Sequence, residues 1–87
     1  MKAVILYHQN SEFTRSLEAY VRDFATQQNQ TIELVSLETV KGADLARLYD
    51  IVQYPALLVM QDNGALVKDW QGSQMPLMSE VAGYLRS

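Results

Sequence analysis

The stretch from position 49 to 59 decides the fold, and it reads Tyr-Asp-Ile-Val-Gln-Tyr-Pro-Ala-Leu-Leu-Val. Pro55 disfavours helical geometry at Tyr54 and has no backbone N–H, so it fits the first position of a strand. The apolar residues from Ala56 to Met60 then supply that strand. We therefore expect a strand over residues 56–60 that begins directly after an X-Pro bond.

On the C-terminal side, Asp62-Asn63-Gly64 is typical of a hairpin, because Asn-Gly tolerates the positive φ angles of a type I′ turn. Residues 66–70 supply the second strand of the hairpin, antiparallel to the first, and Gly72-Ser73 ends it. Pro76 then stands near the start of a third helix. Its apolar stripe consists of Leu77, Val81, Tyr84 and Leu85.

On the N-terminal side, residues 2–8 form a β-branched and aromatic run, which indicates a strand buried on both faces. A first helix is predicted from Ser11 to Gln28, with Ser11 as its N-cap, and a second strand over residues 31–37. These elements make a βαβ unit, so the two strands should be parallel. The apolar stripe of the helix consists of Phe13, Leu17, Tyr20, Val21 and Phe24.

A second helix is predicted from Gly42 to Ile51, without a clear capping box. Its apolar stripe consists of Leu45, Leu48, Tyr49 and Val52. The whole chain then reads βαβαββα, an α/β pattern, and a chain of 87 residues is the size of one domain. We therefore expect residues 1–87 to form a single domain.

The stretch from 49 to 59 resembles the thioredoxin stretch Tyr-Gly-Ile-x-x-Ile-Pro-Thr-Leu-Leu-Leu, and Asn63-Gly64 and Gly72 fall at the spacing of that family. The chain is therefore similar to the thioredoxin-like and glutaredoxin-like superfamily, and its size is closer to glutaredoxins. The resemblance implies a three-layer α/β/α sandwich around a four-stranded mixed sheet of order 4-3-1-2. It also implies a cis bond before Pro55.

The Cys-x-x-Cys motif of that family falls on Ser11-Glu12-Phe13-Thr14, and the sequence contains no cysteine. Dithiol exchange needs a thiolate and a second, resolving thiol, which hydroxyl groups cannot replace. The buried acid of the family corresponds to Ile5, an apolar residue. We therefore expect no dithiol–disulfide oxidoreductase activity and no cofactor, and the lone His8 cannot build a histidine metal site.

What remains of the family's site is a predicted groove, where the resemblance implies that the backbone beside the cis-proline pairs with an extended peptide or with glutathione. The leading hypothesis is a non-redox module that binds a protein or peptide. One alternative is a glutathione-binding or glutathione-transferase-like protein, and another is a structural subunit, including a homodimer through the hairpin edge. The predicted groove residues are Asn10, Ser11, Glu12, Phe13, Thr14, Tyr54, Pro55, Gly72 and Ser73.

Four aromatic or hydroxyl residues have two interpretations each. Ser11 is favoured as a helix cap over a ligand-binding hydroxyl, because no base can be assigned to it. Phe13 is either the first core residue of its helix or part of the groove. Tyr54 either packs under the first helix or faces the groove, and Trp70 either covers the sheet or anchors an interface, with burial favoured.

Composition limits the partners further. With a net charge of −3, the chain has no basic excess to neutralise phosphates, so neither nucleic acid nor an anionic membrane surface is expected as a partner. The hydrophobic content of 48% supports a packed core. The longest apolar runs, residues 3–7 and 55–60, are far shorter than the roughly 20 residues of a membrane span, so we expect a cytoplasmic protein.

Overall fold

The computed structural model describes residues 1–86 and contains one mixed sheet of four strands. Its order is β2-β1-β3-β4, which confirms the predicted order 4-3-1-2 read from the other edge. β1 is parallel to β2 and antiparallel to β3, and β3 is antiparallel to β4. The strands are β1 (Lys2–Tyr7), β2 (Ile32–Ser36), β3 (Ala56–Met60) and β4 (Leu66–Gln71).

Three helices cover the two faces of this sheet: α1 (Thr14–Gln28), α2 (Val40–Leu48) and α3 (Met78–Leu85). Phe24 of α1 and Val81 of α3 pack on the face that carries Ile5, whereas Ala46 of α2 packs on the face that carries Leu6. The predicted α/β/α layers are therefore present. All five residues of β3 are buried, because this strand is central and has helices on both sides.

The predicted start of the first helix is wrong. The helix α1 begins at Thr14, Phe13 occupies the N-cap position, and no side chain caps the helix. The N–H of Ser11 instead donates to the carbonyl of His8, which makes a turn between β1 and the helix. Ser11 is therefore a loop residue whose side chain caps no amide of the helix.

The second helix also has different limits from those predicted. It begins at Val40 because the hydroxyl of Thr39 accepts a hydrogen bond from the N–H of Gly42, a cap that the sequence analysis missed. It ends at Leu48, and Asp50 follows with a positive φ of 57°. The N–H of Ile51 then donates a hydrogen bond to the carbonyl of Ala46.

The hairpin turn is not the predicted type I′. Asn63 has no positive φ, and only Gly64 does, at 92°. The N–H of Gly64 donates to the carbonyl of Gln61, and a register shift follows between Val59 and Met60. Such a turn with one left-handed glycine places a bulge in the ladder, where a type I′ turn would leave it regular.

Three members of the predicted apolar stripes face solvent. Leu48 of α2 is 71% exposed, Val52 after it is 74% exposed, and Leu77 before α3 is 76% exposed. Each lies at or beyond the end of its helix, where the helical period no longer determines which side faces the sheet. Within residues 1–86, no helix is long and apolar enough to cross a membrane.

Candidate functional site

A small open cleft lies where β1 ends and β3 begins. Its volume is about 80 Å³, well below the roughly 300–1,000 Å³ of sites that enclose a drug-sized ligand. Four of its six lining side chains are aromatic rings, which makes the cleft largely apolar. The lining residues are Tyr7, His8, Ser11, Phe13, Tyr54 and Pro55.

The segment that contains Pro55 forms one wall of the cleft. The peptide bond between Tyr54 and Pro55 is cis. The carbonyl of Pro55 accepts a hydrogen bond of 2.9 Å from the N–H of Gly72, and Tyr54 Oη donates one of 2.8 Å to the carbonyl of Ile51. The backbone N–H and C=O of Tyr54 have no hydrogen-bond partner among residues 1–86.

A side-chain pair supports the opposite lip of the cleft. Nδ1 of His8 lies 2.9 Å from Oε2 of Glu38, and the rings of His8 and Tyr54 form a T-shaped pair with 5.4 Å between their centres. The N–H of Gln9 donates to Oε1 of Glu38 at 2.8 Å. These hydrogen bonds, from Gln9 first and then from His8, lower the pKa of the Glu38 carboxyl.

The hydroxyl of Ser11 has no base beside it. Within the described chain its side chain has one hydrogen-bond partner, Thr14 Oγ1 at 3.5 Å, and Thr14 in turn donates to the carbonyl of Gln9. His8 pairs with Glu38 through Nδ1, and within the described residues no hydrogen bond joins the Nε2 atom of His8 to the Ser11 hydroxyl. This arrangement does not form the nucleophile–base pair that activates a serine.

The structure brings together only part of the predicted groove. Ser11, Phe13, Tyr54 and Pro55 line the cleft, and Phe13 also packs against the core cluster beneath α1. The other five predicted residues lie outside its lining. Of these, Gly72 is tied to Pro55, Thr14 begins α1, and three are exposed loop residues, namely Asn10, Glu12 and Ser73.

The predicted groove residues do not include Tyr7 and His8, which line the cleft. Tyr7 is the last residue of β1 and His8 is the next residue, so both lie at the end of the sheet where the cleft opens. The signal was present, because the predicted strand ended at these positions. The sequence analysis assigns them to the strand because the β-branched and aromatic run over residues 2–8 has no break before them.

Trp70 lies away from the cleft. Its ring is half-buried, meets Tyr84 of α3 edge-on at 5.6 Å, and has the ammonium group of Lys68 5.8 Å above it. It packs against the core cluster on the α1 and α3 face, as does Met75. Trp70 therefore covers the end of the sheet, the interpretation that the sequence favoured.

Comparisons with known proteins give structural likeness without a sequence match. No protein-family model and no curated protein matches the chain. Thioredoxin 1 from the thermophilic eubacterium Thermosipho africanus TCF52B aligns with a TM-score of 0.67 at 12% identity, over 99% of this chain and 91% of its own. A thioredoxin from Thermus thermophilus, solved in solution, aligns with a TM-score of 0.58 at 20% identity, over 97% and 69% respectively.

The fold and the site together define the class. The chain is a domain of thioredoxin-like fold that contains no cysteine, with serine and threonine at the positions where the resemblance places the thiols. At these identities the likeness shows the fold alone.

Proposed function

We propose that this protein is a thioredoxin-fold module without redox activity that binds an extended segment of another protein in the cleft beside Pro55. The observation that carries the proposal is the backbone of Tyr54, whose N–H and C=O have no partner within residues 1–86. One N–H and one C=O on the same residue are the pair that an added strand uses.

The cleft next to Tyr54 supplies the second part of the recognition. Its aromatic lining suits one apolar side chain of the bound segment, and its volume of about 80 Å³ suits no more than that. Backbone pairing would then give affinity in general, and the cleft would select the residue at one position. No step in this function needs sulfur.

Selection from a displayed library of random peptides tests the proposal. Ser11→Trp places a large ring in the cleft from a loop position, and Gln27→Trp makes the same change at an exposed site near the far end of α1. We expect peptides selected on the unmodified protein to bind Ser11→Trp at least tenfold more weakly and Gln27→Trp unchanged. Equal binding to both variants, or no enrichment, contradicts the proposal.

Two further measurements separate the alternatives. Isothermal titration with reduced glutathione should show no binding tighter than millimolar, because the cleft is too small to enclose a tripeptide and Ser11 has no activating base. Sedimentation should show a monomer, because the edge strand β4 carries Lys68 and Asp69, charged residues that discourage pairing between edges. A tight glutathione complex or a stable dimer through β4 would favour the alternative concerned.

A further inference from the structure

The side chain of Gln71, the last residue of β4, holds the loop that leads to the cleft. Its Oε1 accepts hydrogen bonds from two consecutive backbone N–H groups, those of Val52 and Gln53, each at 3.1 Å. Its Nε2 donates to Oδ2 of Asp69 at 2.8 Å, which fixes the orientation of the amide. Gln71 was not among the predicted groove residues, and it does not line the cleft.

Besides Gln71, the loop is held at its two ends and by the Tyr54 side chain, whose Oη donates to the carbonyl of Ile51 and whose ring packs against the core cluster on the α2 face. The N–H of Ile51 returns to α2, and the carbonyl of Pro55 is held by Gly72. Val52 and Gln53 between them are exposed and contribute no residue to either core cluster. Within residues 1–86, Gln71 is therefore the only group that holds the amides immediately before Tyr54.

We propose that Gln71 is a positioning residue, which fixes the loop so that the N–H and C=O of Tyr54 are presented to a bound peptide. This inference rests on the proposed function. A carboxamide suits the position because its oxygen accepts two hydrogen bonds while its nitrogen donates to Asp69. A carboxylate would meet Asp69 as a like charge, and an apolar side chain would leave both amides unpaired.

The test compares Gln71→Ala with Gln74→Ala, which removes an exposed amide from the following turn. In the free protein, hydrogen exchange of the Val52 and Gln53 amides should become at least tenfold faster in Gln71→Ala and stay unchanged in Gln74→Ala. The Kd for a peptide selected on the unmodified protein should rise at least fivefold in Gln71→Ala only.

A double variant provides the rescue. Gln71→Glu alone keeps the acceptor but repels Asp69, whereas Gln71→Glu combined with Asp69→Asn restores the donor–acceptor pair in reverse. The double variant should recover both slow exchange and peptide affinity, a result that a general loss of stability in Gln71→Ala would not explain.

The outcomes distinguish the two proposals. If the unmodified protein binds peptide and Gln71→Ala binds it equally well, the positioning role is wrong and the proposed function stands. If a folded double variant does not recover affinity, the positioning role is again wrong. If the unmodified protein binds no peptide at all, the proposed function and the role of Gln71 fail together.

Discussion

The Nδ1 atom of His8 lies 2.9 Å from Oε2 of Glu38, and this contact joins the end of β1 to the loop before α2. Because the His8 ring also meets Tyr54 edge-on, Glu38 supports one lip of the cleft without lining it. The carboxylate holds this position through the N–H of Gln9 as well. Glu38 is thus part of the support of the site.

The lowered pKa of Glu38 predicts a stability effect in acid. A carboxyl whose pKa is lower in the folded than in the unfolded state stabilises the protein above its ordinary pKa, and this contribution is lost as the pH falls through the folded value. Glu38→Gln should therefore lose less stability than the unmodified protein as the pH falls below about 4.5. Urea unfolding at several pH values measures this, with Glu18→Gln as the control, because the Glu18 carboxylate makes no hydrogen bond within residues 1–86. Parallel pH profiles for the unmodified protein and Glu38→Gln would contradict it.

The two hydroxyl residues before the helices should differ in their effect on stability. Thr39 caps α2 through Gly42, so Thr39→Ala should lower the free energy of unfolding by about 1 kcal/mol. Ser11 caps no helix, so Ser11→Ala should cost clearly less. Chemical denaturation of both variants decides the point. A larger loss for Ser11→Ala would reinstate the cap that the sequence predicted.

Gly42 and Gly83, both helical, should respond in opposite directions to alanine. A Cβ on Gly42 would clash with the carbonyl oxygen of Ser36, a backbone atom that cannot move aside, so Gly42→Ala should destabilise the protein by about 1–3 kcal/mol. A Cβ on Gly83 meets no atom within 4 Å, so Gly83→Ala should stabilise the protein by about 0.5–1 kcal/mol. Thermal unfolding checks both. A neutral Gly42→Ala would mean that α2 lies farther from β2.

Tyr20 ties α1 to the segment before α3. Its Oη donates a 2.8 Å hydrogen bond to the carbonyl of Pro76, so Tyr20→Phe should cost about 1 kcal/mol. Tyr84→Phe is the matched control, because the Tyr84 hydroxyl has no hydrogen-bond partner within residues 1–86. Equal effects of the two changes in urea unfolding would contradict this role.

The same tyrosine predicts an effect in alkali. Burial, with the nearby charge of Glu80 adding to it, raises the pKa of Tyr20 to about 12. Because the pKa of Tyr20 is higher in the folded state than its ordinary value of 10, the protonated hydroxyl contributes stability below pH 10. This contribution is lost as the pH rises toward 12. Tyr20→Phe should lack this component of the alkaline loss, which absorbance titration and unfolding at high pH would show.

The sequence predicted the strands because strong patterns mark them, and the resemblance to the thioredoxin-like superfamily implied their order. The runs that became β1 and β3 are apolar on both faces, and Pro55 fixes where β3 begins. The starts of α1 and α2 differ from the predicted ones. Ser11 and Thr39 are both residue types that can cap a helix, so residue type alone does not tell which of the two caps the helix that follows it. The local turn closed by the bond from the Ser11 N–H to the carbonyl of His8 keeps Ser11 from capping α1, whereas the Thr39 hydroxyl caps α2.

The residues that hold the cleft in place, Gln71 and Glu38, could not be predicted either, because their partners are distant in the sequence. Gln71 reaches Val52 and Gln53 across nearly 20 positions of sequence, and Glu38 reaches His8 across 30. Such pairs follow no period and no motif, since the fold alone brings their chain segments together. The predicted groove was therefore broader than the cleft, which includes Tyr7 and His8 and leaves out residues such as Glu12.

The most direct measurement is a ¹⁵N-edited NMR titration of the unmodified protein with a peptide from the library selection. The account predicts that the largest amide shifts fall on Ser11, Tyr54 and Ser73, and that the Tyr54 N–H becomes protected from solvent exchange as a peptide carbonyl pairs with it. Shifts confined to another surface, such as that around Trp70, with the Tyr54 amide still exchanging freely at saturation, would contradict the account.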